Sequence, residues 1–223
     1  MISILKRLIS YLPISFQQKL KRGHFSRQIR NGTFESNESE FKRLEEWVNS
    51  GNWVLDIGAN VGQYTAKFSK LVGPAGRVIA FEPVPRTFEL LAANMAQLPA
   101  QNVTLINAAV SDSMRIAGIT IPKFDTGLDN YYMANLTKKP TDLSVMCLPV
   151  DTLNIPERIS LIKADVEGHE ISALKGMEQL LRRDKPVLIV EGYIDEVADY
   201  LSTLGYSFQT DKGSSNRIYS CNE

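Results

Sequence analysis

From residue 53 onward, short apolar runs alternate with helix-length segments, and this alternation limits the fold more than any other feature of the chain. WVLDIG (53–58), RVIAFEP (77–83), NVTLINAAV (102–110), SLIKADVEG (160–168) and KPVLIVEGY (185–193) read as strands. VGQYTAKFSKLV (61–72), PRTFELLAANMAQL (85–98), HEISALKGMEQLLRR (169–183) and DEVADYLSTLG (195–205) read as helices between or after them. Strands with apolar residues at consecutive positions are buried on both faces, which requires a mostly parallel sheet with helices on either side. YSFQT (206–210) and NRIYSC (216–221) flank the turn DKGSS and predict a closing hairpin whose last strand runs antiparallel. Residues 111–158 read as an irregular insertion, with β-like pieces at AGITIP and LSVMCLPV, too long for an ordinary connection.

The part before residue 46 has a different character. Ile2, Leu5, Leu8, Ile9 and Leu12 share one helical face, and Pro13 ends or kinks that helix. Lys6, Arg7, Lys19, Lys21, Arg22, Arg27 and Arg30 fall in the first thirty residues, which hold no acid, while formal net charge over the whole chain is zero. Residues 1–45 are therefore read as a basic, partly amphipathic helical arm on an acidic domain spanning 46–223. Such an arm has three uses: contact with an anionic bilayer, cover for a cleft, or packing on a second subunit. The polar stretch NGTFESNESE reads as a linker, and Phe41, Leu44, Trp47 and Val48 as a short helix stopped by Gly51. A neutral overall balance gives no case for nucleic acid. Two distant cysteines, Cys147 and Cys221, form no zinc spacing or disulfide framework, so the expected setting is cytoplasmic, with peripheral membrane contact through the arm as a variant.

The chemistry is written at the strand ends. In doubly wound sheets, ligands sit beyond the carboxyl ends of the strands. Strand one ends in DIGANVG, where Gly58 and Gly62 allow a ligand to approach the backbone closely. A dinucleotide turn, counted from Gly58, needs glycine at 60 and 63, and the chain has Asn60 and Gln63. A phosphate-binding loop with Gly-Lys-Ser/Thr is missing as well. S-adenosylmethionine carries no phosphate; its sulfonium, amino group and ribose want carboxylates and carbonyls. Asp56 at the end of strand one and Glu82 at the end of strand two supply those acids.

These residues lie within VLDIGANVGQYT, VIAFEPVPRTFELLAANM, INAAVSD, LIKADVEGHEISALKGM and PVLIVEGY, by which the chain resembles the FkbM family of S-adenosylmethionine-dependent methyltransferases from about residue 45 to about residue 195. The resemblance implies the class I, Rossmann-like methyltransferase fold with seven strands, and a reaction at hydroxyls of sugars, glycans or natural products. By position it implies that Asp56, Gly58, Asn60 and Gly62 line the methionine end of the cofactor, that Glu82 holds the ribose, and that Asn107, Ala108 and Ala109 lie near the adenine. The alternative is a non-catalytic cofactor-binding module, or a membrane-peripheral one working through its arm.

An alcohol is a poor nucleophile, so its proton needs a base or a metal. Asp165, Glu167, His169 and Glu170 follow strand four, and Glu191 closes strand five. Either His169 or Asp165 acts as general base, or Asp165 and Glu191, with Glu167, hold Mg²⁺ through hard oxygen ligands. Glu170 reads as a helix-start residue, Gly168 as a turn residue and Lys163 as a partner for an acid. Asp125, Asp129, Asn130, Tyr131 and Tyr132 in the insertion offer groups for a sugar-like acceptor.

Overall fold

The computed structural model describes residues 7–137, 141, 143–210 and 214–221. Its centre is a seven-stranded sheet built from β1 (Trp53–Ile57), β2 (Arg77–Phe81), β3 (Val103–Ile106), β8 (Ile159–Ala164), β9 (Val187–Glu191), β10 (Tyr206–Thr210) and β11 (Asn216–Cys221). The spatial order is β3-β2-β1-β8-β9-β11-β10. β11 is antiparallel to both neighbours, and the other pairings are parallel. The closing hairpin thus inserts its last strand beside β9, while residues 211–213 of its turn lie outside the described residues.

Alternation along the strands sorts the core into two layers. Val54, Val78, Leu161 and Ile189 point to the face covered by α2 (Gln63–Val72) and by Phe41, Leu44 and Val48. Leu55, Ile57, Ile79, Ile162 and Val190 point to the other face, with Leu174, Met177, Leu181 and Leu201. Each fully buried side chain of this size contributes about 1.5–3 kcal/mol by leaving water. The same parity puts Asp56 and Lys163 on the α2 face, and the β1–β8 register makes them direct neighbours.

Four segments differ from the sequence expectation. The third strand ends at Ile106, and Ala109–Val110 form β4 in a second sheet, because Asn107 turns the chain by donating to the Glu82 and Pro83 carbonyls (2.7 and 3.1 Å). The insertion is not irregular throughout. Its β5 (Arg115–Thr120), β6 (Asn135–Thr137) and β7 (Ser144–Leu148) join β4 in the order β4-β7-β5-β6. The long helix after β8 breaks at Gly176 into α4 (Glu170–Lys175) and α5 (Glu178–Asp184). A Cβ on Gly176 would stand 2.0 Å from the Ser111 carbonyl oxygen, so the chain passes too close for a side chain; Asp151 then caps α5 through the Gln179 and Leu180 N–H groups (both 3.0 Å). Finally, Glu40–Glu46 is a 3₁₀ helix.

In the arm, residues 7–10 are helical, and α1 (Ile14–Asn31) follows Pro13. Ile2 and Leu5 of the expected apolar face lie outside the described residues, and Leu8 and Leu12 are exposed. The arm is held by other residues: Phe25 and Ile29 pack on Phe34, Leu90, Leu91 and Met95, the last three from α3 (Pro85–Met95). Phe34, in the stretch expected to be a linker, is buried. Among the described residues, no helix is long and apolar enough to cross a membrane.

Candidate active site

The carboxyl ends of β1, β2 and β8 converge at Gly58. The Gly58 and Ala59 N–H groups donate to the Phe81 carbonyl (3.0 and 2.8 Å), and Asp165 N–H donates to the Ile57 carbonyl (3.0 Å). A Cβ on Gly58 would lie 1.8 Å from the Asp165 carbonyl oxygen, and its φ is +80°. Only glycine satisfies both conditions. Asn60 takes φ 50°, and its N–H donates to Glu82 Oε2 (3.0 Å); Val84 N–H donates to Glu82 Oε1 (2.9 Å). Two backbone donors thus fix Glu82 at the cleft wall. Burial still outweighs them and pushes its pKa up to about 7.

Gly58, Asn60, Glu82, Ala108 and Ala109 line one cleft together with Asp165, Glu167, His169 and Glu191. Asp56 and Gly62 line an adjoining region that shares Gly58, Asn60 and Asp165 with it. Asp56 is 1% exposed and accepts a hydrogen bond from the Thr65 hydroxyl. Burial raises its pKa to about 6, against the opposing pull of Lys163 and Thr65. Asn107 is exposed beside Ala108 and does not line the cleft, and its amide is committed to the two backbone carbonyls described above.

Lys163 connects the two acids at the tips of β1 and β8. Its ammonium is buried, lies 2.8 Å from Asp165 Oδ2, and sits 4.7 Å over the Tyr64 ring. Burial alone would lower its pKa, but Asp165 and Asp56 overcome that and hold it above the ordinary value. Burial would likewise raise Asp165, yet Lys163 and a hydrogen bond with Glu191 bring it below the usual carboxylate range. Glu191 goes the other way: burial, the hydrogen bond to Asp165 and the Asp165 charge push it up to about 9. At neutral pH the pair holds one proton, carried on the Glu191 side.

His169 precedes α4, and its Nε2 lies 2.9 Å from Ser111 Oγ. Burial, then Arg115, lower its pKa, so the ring is neutral at pH 7. Glu170 is buried and accepts from Gly168 N–H (3.0 Å), bracing the turn as expected of a helix-start residue. Glu38 belongs to the site although nothing in its sequence context marks it. It lines both regions and accepts from the Tyr64 hydroxyl (2.7 Å). Asn216 on β11 donates to Glu38 (3.3 Å) and to the fully buried Glu40.

Asp165, Glu167 and Glu191 offer oxygens within 4.8 Å of one another, a donor set of the kind that suits a hard divalent cation. The fit is poor in two respects. Lys163 already neutralises Asp165, and a cation would have to displace the proton shared with Glu191.

Residues 56–208 match the methyltransferase FkbM domain. The chain belongs to the FkbM family of S-adenosylmethionine-dependent methyltransferases. Two curated relatives are similar to this chain. Hexuronic acid methyltransferase AglP of Haloferax volcanii is 28% identical over 153 residues, 66% of this chain and 58% of that protein. Methyltransferase sdnD of Sordaria araneosa is 24% identical over 161 residues, 58% of this chain and 62% of that protein. The chain thus spans about three fifths of the length of the curated relatives it matches. Among solved structures, the methyltransferase FkbM from Methylobacillus flagellatus aligns with a TM-score of 0.55 at 21% identity, covering 77% of this chain and 44% of that one. Aeropyrum pernix fibrillarin in complex with S-adenosyl-L-methionine aligns with a TM-score of 0.51 at 15% identity, covering 78% and 68%. At these identities the two structures establish the class I methyltransferase fold.

Proposed function

We propose that this methyltransferase acts on oxygen, methylating a hydroxyl of a sugar, glycan or natural-product acceptor. The observation that carries the reading is Asp165: an ionised, mostly buried carboxylate on the cleft wall, fixed by Lys163 and adjacent to a protonated Glu191. S-adenosylmethionine, when bound, supplies the electrophilic methyl group. Glu82 receives the ribose hydroxyls on the lone pairs left free by Asn60 and Val84. Gly58, Asn60 and Gly62 let the methionine end approach the backbone, with Asp56 beneath, and Ala108 and Ala109 leave room for the adenine. Asp165 accepts the acceptor's hydroxyl proton as the new C–O bond forms and the S–C bond breaks. Glu191 orients Asp165 through the shared proton, and the neutral His169 is the second candidate base. The relative AglP is a hexuronic acid methyltransferase, which supports a sugar acceptor.

The test is incubation with methyl-labelled S-adenosylmethionine and a panel of hexuronic acids and their glycosides. The expected product is an alkali-stable ether. A label released by mild alkali would be a carboxyl ester and would refute the hydroxyl reading.

A second reading, contact of the arm with an anionic membrane surface, is favoured by the outward face of α1. Phe16 and Leu20 are 47% and 42% exposed there, beside exposed Lys19, Arg27 and Arg30 and opposite the packed Phe25 and Ile29. Co-sedimentation with phosphatidylglycerol vesicles, lost in Phe16→Glu/Leu20→Glu, is the expected result; equal sedimentation of the double variant refutes it.

A further inference from the structure

A second cavity of about 380 Å³ adjoins the cleft, and Asn60, Tyr131 and Tyr132 line both spaces. Its apolar walls come from four separate parts of the chain. Phe25 projects from α1, Val61 and Leu90 belong to the glycine turn and α3, and Phe124 and Leu128 come from the insertion. The arm and the insertion meet nearby, where a Cβ on Gly127 would lie 3.3 Å from Ser10 Oγ. The space is large enough for a small organic ligand and has the mainly apolar lining such sites use.

Asp125, Thr126 and Asp129 stand among the polar residues of this lining, and two others, Thr87 and Lys21, bear on how a ligand would sit. Thr87 is 2% exposed, and its buried Oγ1 has no hydrogen-bond partner among the described residues. A buried hydroxyl left unpaired costs free energy, which a polar atom of a ligand would offset. Lys21 also lines the cavity, with its ammonium 4.5 Å over the Tyr131 ring at the junction with the cleft. A bare sugar in the cleft would leave Phe25, Leu90, Phe124 and Leu128 against water.

We propose that this cavity binds an apolar alkyl or aryl part of the methyl acceptor, with a polar atom of that ligand meeting Thr87 and the reacting hydroxyl extending past Tyr131 and Tyr132 toward Asp165. The acceptor is then an amphiphile, such as a glycoside with an apolar aglycone. This deepens the hydroxyl-methylation reading and rests on it for the direction in which the acceptor extends.

The test uses n-octyl β-D-glucuronide and methyl β-D-glucuronide as probes, with binding measured by calorimetry in the presence of S-adenosylhomocysteine. Octyl binding should exceed methyl binding by more than about tenfold, since each buried CH₂ adds to affinity. Leu128→Trp, which fills the cavity from a half-buried position, should abolish that advantage and leave S-adenosylmethionine affinity unchanged. Thr87→Val, a near-isosteric change, should weaken the octyl probe and carries the test if Leu128→Trp does not fold. Equal binding of the two glucuronides, or octyl binding unaffected by both variants, would overturn the proposal. If the octyl probe binds as expected but neither glucuronide accepts a methyl group, the sugar-methylation reading fails and the cavity assignment stands. If neither glucuronide binds, the cavity is probed with 8-anilinonaphthalene-1-sulfonate: fluorescence enhancement lost in Leu128→Trp supports the apolar site, and its persistence there, or no enhancement in the wild type, refutes it.

Discussion

Burial raises the pKa values of Glu82 and Asp56, two acids of the proposed cofactor site, so S-adenosylmethionine affinity should rise steeply with pH. Glu82 is held at about 7 and Asp56 at about 6 in the ligand-free protein. A ribose hydroxyl donates best to an ionised Glu82, and a cationic donor is attracted to an ionised Asp56. The sign follows: both groups must lose a proton before they bind well, so affinity increases as pH climbs through those values and levels off above them. Between pH 5.5 and 7.5 the ionised fraction of Glu82 rises about 25-fold and that of Asp56 about fourfold, which together give about a hundredfold gain, or about 2.7 kcal/mol. Calorimetric titration at half-unit steps reads this directly. Glu82→Gln should remove the larger of the two steps and leave a shallow rise centred near the Asp56 value. An affinity that is flat from pH 5.5 to 7.5 in the wild type would refute the reasoning, because neither acid would then be held protonated by its surroundings.

Further expectations concern the strand tips. Asp165→Asn should keep cofactor affinity and lower turnover by about 10²–10⁴-fold, whereas Glu191→Gln, which still donates to Asp165, should cost less than about tenfold; steady-state kinetics on both variants would show equal losses if the two acids had interchangeable roles. Gly58→Ala should destabilise the fold by about 3 kcal/mol in urea unfolding, because its Cβ meets the Asp165 carbonyl oxygen at a strained φ; an unchanged midpoint would mean that β1 and β8 separate freely. Turnover should persist after dialysis against EDTA, since Lys163 already provides the positive charge beside Asp165; activity restored only by Mg²⁺ would reassign Asp165, Glu167 and Glu191 as metal ligands.

The features legible in the sequence are those with a local signature. Consecutive apolar residues mark the parallel strands, the hairpin flanks β10 and β11, and the glycine turn shows why Gly58 and Gly62 are glycines. What escaped depends on contacts distant in sequence. Lys163 reads as an ordinary partner for an acid until the β1–β8 register sets it beside Asp56. Glu38 and Glu40 sit in a polar stretch that looks like a linker, and only Tyr64 and Asn216, distant in the chain, explain their anchoring. Of the second sheet, β5 and β7 are legible as the β-like pieces AGITIP and LSVMCLPV, but their joining into a sheet is not, because β4 and β6 are only two and three residues long and carry no strand period of their own. Asn107 has a second role that its position does not announce. It stands at the expected strand end, but its amide is spent on the turn after β2.

The cleft above β1 and β2 is proposed to accept a sulfonium methyl donor and not a pyrophosphate. Calorimetry at pH 7.5, with S-adenosylmethionine and NAD titrated in parallel into the wild type and Glu82→Ala, tests it most directly. Saturable S-adenosylmethionine binding that Glu82→Ala abolishes, with no NAD heat in either protein, is the expected result. Saturable NAD binding with none for S-adenosylmethionine would contradict it.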